Sequence, residues 1–254
     1  MQLTMLGVGS SAGTPMIGCK CDTCISSDPK NNRTRCSSLI ELDNGKTLLI
    51  DTGPDLRLQS LREGLTRVDA VLYTHTHADH LHGIDDLRGF CYMQRSQIQI
   101  YGSHQAMDHI ANKFAYTLRE PSDFWDLPVL KVNPIHAPFQ LFNQTIIPIP
   151  LKHGNHDIYG YRIGDIAYLT DVSSIPESSL LLLQGLKLLL LDCLRHTAHH
   201  THINVEQSLH YASLIKAKST YLIHMTHDLE YASLSAQLPR DVYVGYDGLK
   251  LTVN

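Results

Sequence analysis

Short apolar runs bounded by turn residues recur along the chain, and they predict buried strands. The runs are TLLIDTG, AVLYTH, IQIYG, TIIPIPLKH, IAYLTD, LKLLLLDC, TYLIHM and VYVGYDGLKLTV. Four to eight apolar residues enriched in β-branched types are typical of strands covered on both faces. Residues 104–118 and 204–217 instead show apolar positions at helical spacing. Strands that alternate with helices predict a layered α/β fold in which helices cover the sheet faces.

The ends of these predicted strands share a chemical feature. Apolar residues run directly into His or Asp in LLIDTG, VLYTHTHADH, PLKH, YLTD, LLLDC and YLIH. In α/β sheets, ligands gather where strands end and loops from several strands converge. We therefore expect these strand ends to build one site.

Length and charge limit the class of partner. The chain has 254 residues, 43% of them hydrophobic, without a linker-like stretch or a repeat, so we predict one domain over residues 1–254. A formal charge of -4 gives no support for binding to nucleic acid or to an anionic membrane through net charge, although it does not exclude a local basic patch. We expect a small-molecule substrate and no DNA or membrane partner. The composition does not exclude a homodimer.

The cellular compartment is predicted from the N-terminus and the cysteines. The chain begins MQLTMLGVGSSAGTP, which lacks a basic region followed by an apolar one, so we expect no secretory signal. The apolar stretch 180–191 is interrupted by Gln184, Gly185 and Lys187 and is too short for a membrane span. We expect a cytoplasmic protein in which the six cysteines are thiols or metal ligands.

The segment THTHADH carries the strongest chemical signal. It supplies His75, His77, Asp79 and His80 directly after a predicted strand. His75 and His77 can turn toward one ion while Asp79 and His80 face a second, with Ala78 as a small hinge between them. A solvated polar loop is the alternative, but four ligand-type residues in six positions favour metal binding.

This motif resembles the signature of the metallo-β-lactamase superfamily, and the later His, Asp and His residues follow in the family's order. The resemblance implies a four-layer αββα sandwich. It also implies one ion held by His75, His77, His153 and Asp171, and a second held by Asp79, His80, His224 and the shared Asp171. Imidazole and carboxylate ligands suit zinc, manganese or iron.

Two of these assignments have close rivals. His156 lies three residues after His153, but His153 closes its predicted strand while His156 sits in a loop pattern, GNHD. His227 competes with His224 at the last position. We favour His153 and His224.

A second candidate site lies near the N-terminus. Cys19, Cys21 and Cys24 have C-x-C-x-x-C spacing, and tetrahedral zinc commonly takes three thiolates and one imidazole. If His224 belongs to the pair of ions, His227 is left to complete a structural zinc site. Cys36, Cys91 and Cys193 lack such spacing and are predicted core residues.

This cysteine cluster narrows the resemblance to the PhnP-like phosphodiesterases of the carbon–phosphorus lyase pathway. That resemblance covers nearly the whole chain and implies hydrolysis of small, cyclic ribose or nucleotide-like phosphodiesters by a hydroxide shared between the two metals. It implies that Asp79 orients the hydroxide and that His202 acts on the leaving group or the phosphate.

The roles around the metals also leave alternatives. His202 precedes a predicted helix capped by Asn204, and its rivals are His196, His199 and His200. Arg88 could bind a phosphate oxygen or instead pair with Asp85 or Asp86. Asp247 in YDG is interpreted as a hairpin turn residue.

Other reactions can use the same ligands. A lactamase or thioesterase would direct the metals at a carbonyl. A ribonuclease of the transfer-RNA 3′ processing type would need a basic RNA-binding arm, and no Gly/Lys-rich insertion is visible. A non-enzymatic relative, the pyrroloquinoline quinone biosynthesis protein B, resembles the cysteine pattern but departs from the full His-x-His-x-Asp-His set. A phosphodiesterase is therefore the favoured interpretation.

Overall fold

The computed structural model describes residues 1–120 and 129–253. The strands in this part of the chain are β1 Gln2–Gly7, β2 Ser37–Glu41, β3 Thr47–Ile50, β4 Ala70–Leu72, β5 Ile98–Gly102, β6 Leu130–Pro134, β7 Phe139–Leu141, β8 Gln144–His153, β9 His156–Ile163, β10 Ile166–Leu169, β11 Leu188–Asp192, β12 Ser219–Ile223, β13 Val242–Val244 and β14 Lys250–Thr252. The α-helices are α1 Leu56–Glu63, α2 Ala78–Leu81, α3 Leu87–Gln94, α4 His104–Lys113, α5 Glu177–Leu182, α6 Val205–Ile215 and α7 Tyr231–Ser235. Short 3₁₀ turns cover Pro29–Asn31, Ile84–Asp86 and Ala115–Leu118.

The described strands form two seven-stranded sheets. Their orders are β14-β1-β2-β3-β4-β5-β6 and β13-β12-β11-β10-β9-β8-β7. Strands β3 to β6 run parallel in the first sheet, and β10 to β13 run parallel in the second. Strand β8 is antiparallel to β9, which is antiparallel to β10, so β8 and β10 point the same way. The carboxyl ends of β8, β10, β11 and β12 therefore lie at one edge of their sheet.

Strict alternation of side chains along the strands produces three hydrophobic layers. Leu48 and Ile50 enter the core between the sheets, while Leu49 between them faces the outer helices. In the second sheet, Leu188 and Leu190 face the central core, whereas Leu189 packs against the other helical layer. Both faces of these strands are covered, which explains the continuous apolar runs in the sequence.

The helices complete the layers on the outside. Residues of α1, α3 and α4 pack on the first sheet, and residues of α5 and α6 pack on the second. This arrangement confirms the predicted four-layer αββα sandwich. None of the helices in the described ranges is both long enough and apolar enough to cross a bilayer.

The C-terminal prediction was wrong in one respect. The run VYVGYDGLKLTV forms two strands, β13 and β14, that belong to different sheets. Asp247 lies in a turn between them, but the turn is not a hairpin, because β13 and β14 do not pair with each other. Its carboxylate accepts hydrogen bonds from the backbone N–H groups of Val8 and Thr34 at 3.0 and 2.9 Å. It ties the chain's end to the loop that follows β1.

Candidate metal centre

The predicted strand ends do converge. Asp51 follows β3, His75 follows β4, His153 ends β8, Asp192 ends β11 and His224 follows β12. Asp171, two residues after β10, lies in the middle of the cluster, with imidazoles on several sides. Asp51, Asp171 and His224 have left-handed backbone angles, with φ of 59°, 56° and 59°. Such angles are uncommon for residues other than glycine and concentrate at functional sites, where they turn side chains inward.

One group of four candidate ligands lies around one oxygen of Asp171. The ligand atoms of His75, His77, His153 and Asp171 all lie within 4.8 Å of one another. The Nε2 atoms of His75 and His153 are 3.7 and 3.8 Å from Asp171 Oδ2. Burial lowers the pKa of each of the three histidines. They are therefore held neutral, the form that binds a cation.

A second group shares the other oxygen of Asp171. It contains Asp79, His80, Asp171 and His224, again within 4.8 Å. The Nε2 atoms of His80 and His224 lie 3.0 and 3.3 Å from Asp171 Oδ1, and 3.3 and 3.5 Å from Asp79 Oδ2. Asp171 thus presents one oxygen to each group, which is the geometry of a bridging carboxylate.

Hydrogen bonds behind the cluster orient the imidazoles. His80 Nδ1 donates to Asp51 at 2.8 Å, and His153 Nδ1 donates to the Thr201 carbonyl at 2.9 Å. The Thr74 hydroxyl donates to Asp51, so it accepts from His75 Nδ1 at 3.0 Å. Each ring is thereby fixed with Nε2 toward the centre, as in metal-binding histidines.

The electrostatics of the second group differ from those of the first. Burial lowers the pKa of His80 and His224, but the carboxylate of Asp171 and its neighbours more than offset this, so both pKa values are raised. Burial raises the pKa of Asp79, but the proximity of His224 and His80 outweighs it and holds that pKa well below its usual range. The carboxylates stay ionised, and a divalent cation would replace the imidazole protons.

These residues fit metal ions. The Nε2 atoms of His75, His80 and His224 are buried and have no hydrogen-bond partner in the described part of the chain. Buried polar atoms without a partner are costly unless a ligand satisfies them. Two ligand sets of imidazole and carboxylate that share Asp171 therefore fit a pair of divalent cations.

The cluster opens into a cavity of about 340 Å³. Its lining is Ser11, His77, Asp79, His153, His156, Asp171, Thr201, His202 and His224. The ring of His202 stacks on His224 with centroids 4.8 Å apart and meets the ring of His153 at the same distance. Its Nδ1 lies 3.4 Å from Asp192, so its Nε2 faces Asp171. Asn204 caps α6, as predicted, and the structure adds a reciprocal capping box with Gln207.

The structure separates the rival histidines. His156 is exposed and begins β9 rather than lying in a loop, so the loop interpretation of GNHD was wrong. It lines the cavity but belongs to neither ligand group. His196 and His200 are exposed and His199 is partly exposed, and His202 is the member of this segment that lines the cavity.

Arg88 lies elsewhere, which corrects the prediction that it binds substrate. Its guanidinium pairs with Asp85 at 2.7 Å, the alternative that the sequence left open. It lines a different cavity, of about 560 Å³, between α1 and α3. The eight-residue spacing from His80 carries the chain into α3, whose first residue is Leu87, and away from the His/Asp cavity.

The cysteine cluster forms as expected. The ligand atoms of Cys19, Cys21, Cys24 and His227 lie within 4.8 Å of one another, with His227 Nδ1 at 3.4 and 3.2 Å from the sulfurs of Cys19 and Cys21. Contact with His227 lowers the pKa of Cys21 to about 6, so this thiol is a thiolate at neutral pH. Cys36, Cys91 and Cys193 are buried, as predicted for core residues.

Sequence reasoning gave no role to two residues of the centre. Asp51 and Asp192 are completely buried and contact the imidazoles of His80 and His202, respectively. Both were visible as strand-end carboxylates. What the sequence could not show is which histidine each one contacts.

Comparison with known proteins agrees with this geometry. A family model described as a β-lactamase superfamily domain matches residues 46–225. A crystal structure of a diphosphatase from the PhnP family is 42% identical, covers 98% of this chain and 96% of that one, and superposes with a TM-score of 0.91. The chain belongs to the β-lactamase superfamily. Within it, the identity to that diphosphatase shows membership of the PhnP family.

Two further similarities extend the picture. An octanoyltransferase of Porphyromonas gingivalis (strain ATCC BAA-308 / W83) is 36% identical over 261 residues, which cover all of this chain and 52% of that protein. The chain thus spans about half the length of this curated relative. Zinc-bound PqqB from Methylobacterium extorquens shares the fold, with a TM-score of 0.80 at 21% identity over the full length of both chains.

Proposed function

We propose that this chain is a metal-dependent hydrolase of small phosphodiesters of the cyclic ribose or nucleotide type. The observation that carries the proposal is the pair of ligand groups that share Asp171 beside His202 in one open cavity. The similarity to a PhnP-family diphosphatase over nearly the whole of both chains supports it. A cytoplasmic location belongs to the same proposal.

The proposal assigns three ions to two kinds of site. His75, His77, His153 and Asp171 would hold one catalytic ion, and Asp79, His80, His224 and Asp171 the other. Zinc or manganese suits these ligands, whereas Cys19, Cys21, Cys24 and His227 suit a structural zinc. Two such cations lower the pKa of water toward neutrality and offset the negative charge of a phosphodiester.

Asp79 and His202 both line the cavity and have different roles in the proposal. The lowered pKa of Asp79 keeps its carboxylate ionised, so it can accept a hydrogen bond from the attacking water and orient it. His202 holds its Nδ1 proton against Asp192, which leaves Nε2 to deliver a proton to the departing alkoxide. General acid catalysis of this kind typically contributes about 10² to 10⁴ in rate.

A leaving-group comparison tests this role. A diester with a poor alkoxide leaving group needs the proton from His202, whereas one with a good phenolate leaving group does not. We expect His202→Ala to lower kcat/KM on a ribose cyclic phosphate far more than on an activated aryl phosphodiester, at matched metal content. His196→Ala, an exposed histidine outside the cavity, is the control and should change neither rate.

Two outcomes would contradict the proposal at different levels. Equal losses on both substrates would remove the general-acid role and leave at most phosphate binding by His202. Hydrolysis of lactams or thioesters with no phosphodiester turnover would reject the substrate class.

A further inference from the structure

The catalytic cavity has an unusual charge composition for a site that takes an anion. Its described lining contains histidines and two carboxylates, Asp79 and Asp171, but no lysine or arginine. With Arg88 outside this cavity, the described residues offer no lysine or arginine there to bind a phosphoryl oxygen. Neutral N–H and O–H donors are the remaining means by which the protein itself can do so.

Ser11 supplies such a donor on one wall. It is exposed, lines the cavity, and lies in the loop that leaves β1. In the described structure its hydroxyl makes no hydrogen bond, and the backbone N–H groups of Ser11 and Ala12 make none either. Thr201, the other hydroxyl in the lining, is already engaged with His199 Nδ1 at 3.0 Å.

The loop is held in place although these donors are free. Ser10 N–H donates to the Met225 carbonyl at 3.0 Å, and Gly13 N–H donates to Ser10 at 2.8 Å. Thr14 and Arg33 exchange two backbone hydrogen bonds at 2.9 and 2.7 Å. Met225 follows His224, so the loop is fastened directly to a residue of the metal centre. The free donors are therefore positioned in advance, which limits the entropy lost on binding.

We propose that the hydroxyl and the backbone N–H group of Ser11 bind a non-bridging phosphoryl oxygen of the substrate. Both donors are free, and hydrogen bonds to a charged group are stronger than those between neutral groups. This inference rests on the proposed function, because it assigns the phosphate of that same reaction.

Binding of inorganic phosphate tests the inference without turnover. Titration calorimetry would compare metal-loaded wild type with Ser11→Ala, which removes the hydroxyl, and Ser11→Asp, which places a carboxylate on this wall. We expect phosphate to bind roughly tenfold more weakly to Ser11→Ala. Like-charge repulsion should weaken it by about a hundredfold or more in Ser11→Asp. Metal content and melting temperature are measured for each variant to exclude misfolding.

Asn155→Asp is the matched control. Asn155 is exposed in the turn between β8 and β9, beside His156, but does not line the cavity. It adds the same charge near the opening, so phosphate affinity should change less than about threefold. An equal loss in Asn155→Asp and Ser11→Asp would show a general charge effect and overturn the inference.

The outcomes separate this inference from the proposed function. If wild type hydrolyses phosphodiesters but both Ser11 variants bind phosphate as wild type does, the Ser11 site is rejected and the function stands. If the Ser11 variants lose phosphate binding while no phosphodiester is turned over, the anion site stands and the function is rejected. Absence of phosphate binding by the metal-loaded wild type would also overturn the inference.

Discussion

Replacing Asp192 with asparagine should weaken catalysis through His202. Asp192 is completely buried, and its Oδ1 lies 3.4 Å from Nδ1 of both His202 and His224 and 3.2 Å from the backbone nitrogen of Asp171. Asparagine keeps the shape but removes the charge, and its amide group must face one of these donors. Asp192→Asn therefore loosens the orientation of the His202 imidazole.

The size of the effect follows from one of these distances. The 3.4 Å contact between Asp192 Oδ1 and His202 Nδ1 is long for a hydrogen bond, so we assign it about 1.5 kcal/mol, the low end of the range for bonds to a charged group. This free energy corresponds to a rate loss of about tenfold. The loss should fall on diesters with an alkoxide leaving group.

A double-mutant cycle distinguishes positioning from a general structural role. If Asp192 acts through His202, then Asp192→Asn in a His202→Ala background should cost little more than His202→Ala alone. The control is Asp165→Asn, which removes a half-exposed carboxylate paired with Lys187 and should leave kcat/KM unchanged. Fully additive losses, or a change below about threefold at matched metal content, would refute the reasoning.

Three further predictions concern the metals and the backbone beneath them. His227→Ala should lower the melting temperature and release one zinc while the two His/Asp groups keep their metals, because structural zinc contributes folding free energy. Loss of a His/Asp metal instead would mean that the roles assigned to His224 and His227 are exchanged. A mild chelator should abolish turnover before it removes the zinc of the cysteine site, because soft thiolate ligands favour zinc. Simultaneous release in metal analysis would contradict two classes of site. Gly53→Ala should reduce His/Asp metal binding, because the added Cβ would overlap the Asp79 carbonyl oxygen. The control is Gly89→Ala, whose added Cβ meets no atom within 4 Å and should leave metal binding unchanged. Equal metal content in the two variants would show that the loop tolerates the shift.

Much of the centre could be predicted because its ligands are local to strand ends. In THTHADH and YLTD, the apolar run and the ligand residues are adjacent in sequence, so element and chemistry are visible together. The capping box at Asn204 is likewise a four-residue pattern that needs no tertiary information.

The rest depends on contacts that short patterns do not encode. Asp51 contacts His80 across 29 positions, and Ser11 lines the cavity in a loop that a hydrogen bond from Ser10 holds against Met225. Arg88 failed as a prediction because its spacing from the motif says nothing about the direction of α3. Strand β2 was not predicted because two of its buried positions are the polar residues Ser37 and Ser38, which shorten the apolar run. The Ser37 hydroxyl is satisfied by the carbonyl oxygens of Ile50 and Asp51.

Turnover on a matched substrate panel tests the central claim most directly. The panel would hold ribose cyclic phosphates, nucleotide cyclic phosphates, a transfer-RNA precursor, a lactam and an octanoyl thioester, each assayed with protein of known metal content. We predict hydrolysis of the small phosphodiesters, lost when the His/Asp metals are removed and restored when they are returned. Turnover of the lactam or thioester with no phosphodiester hydrolysis, or phosphodiester turnover that survives complete removal of those metals, would contradict the account.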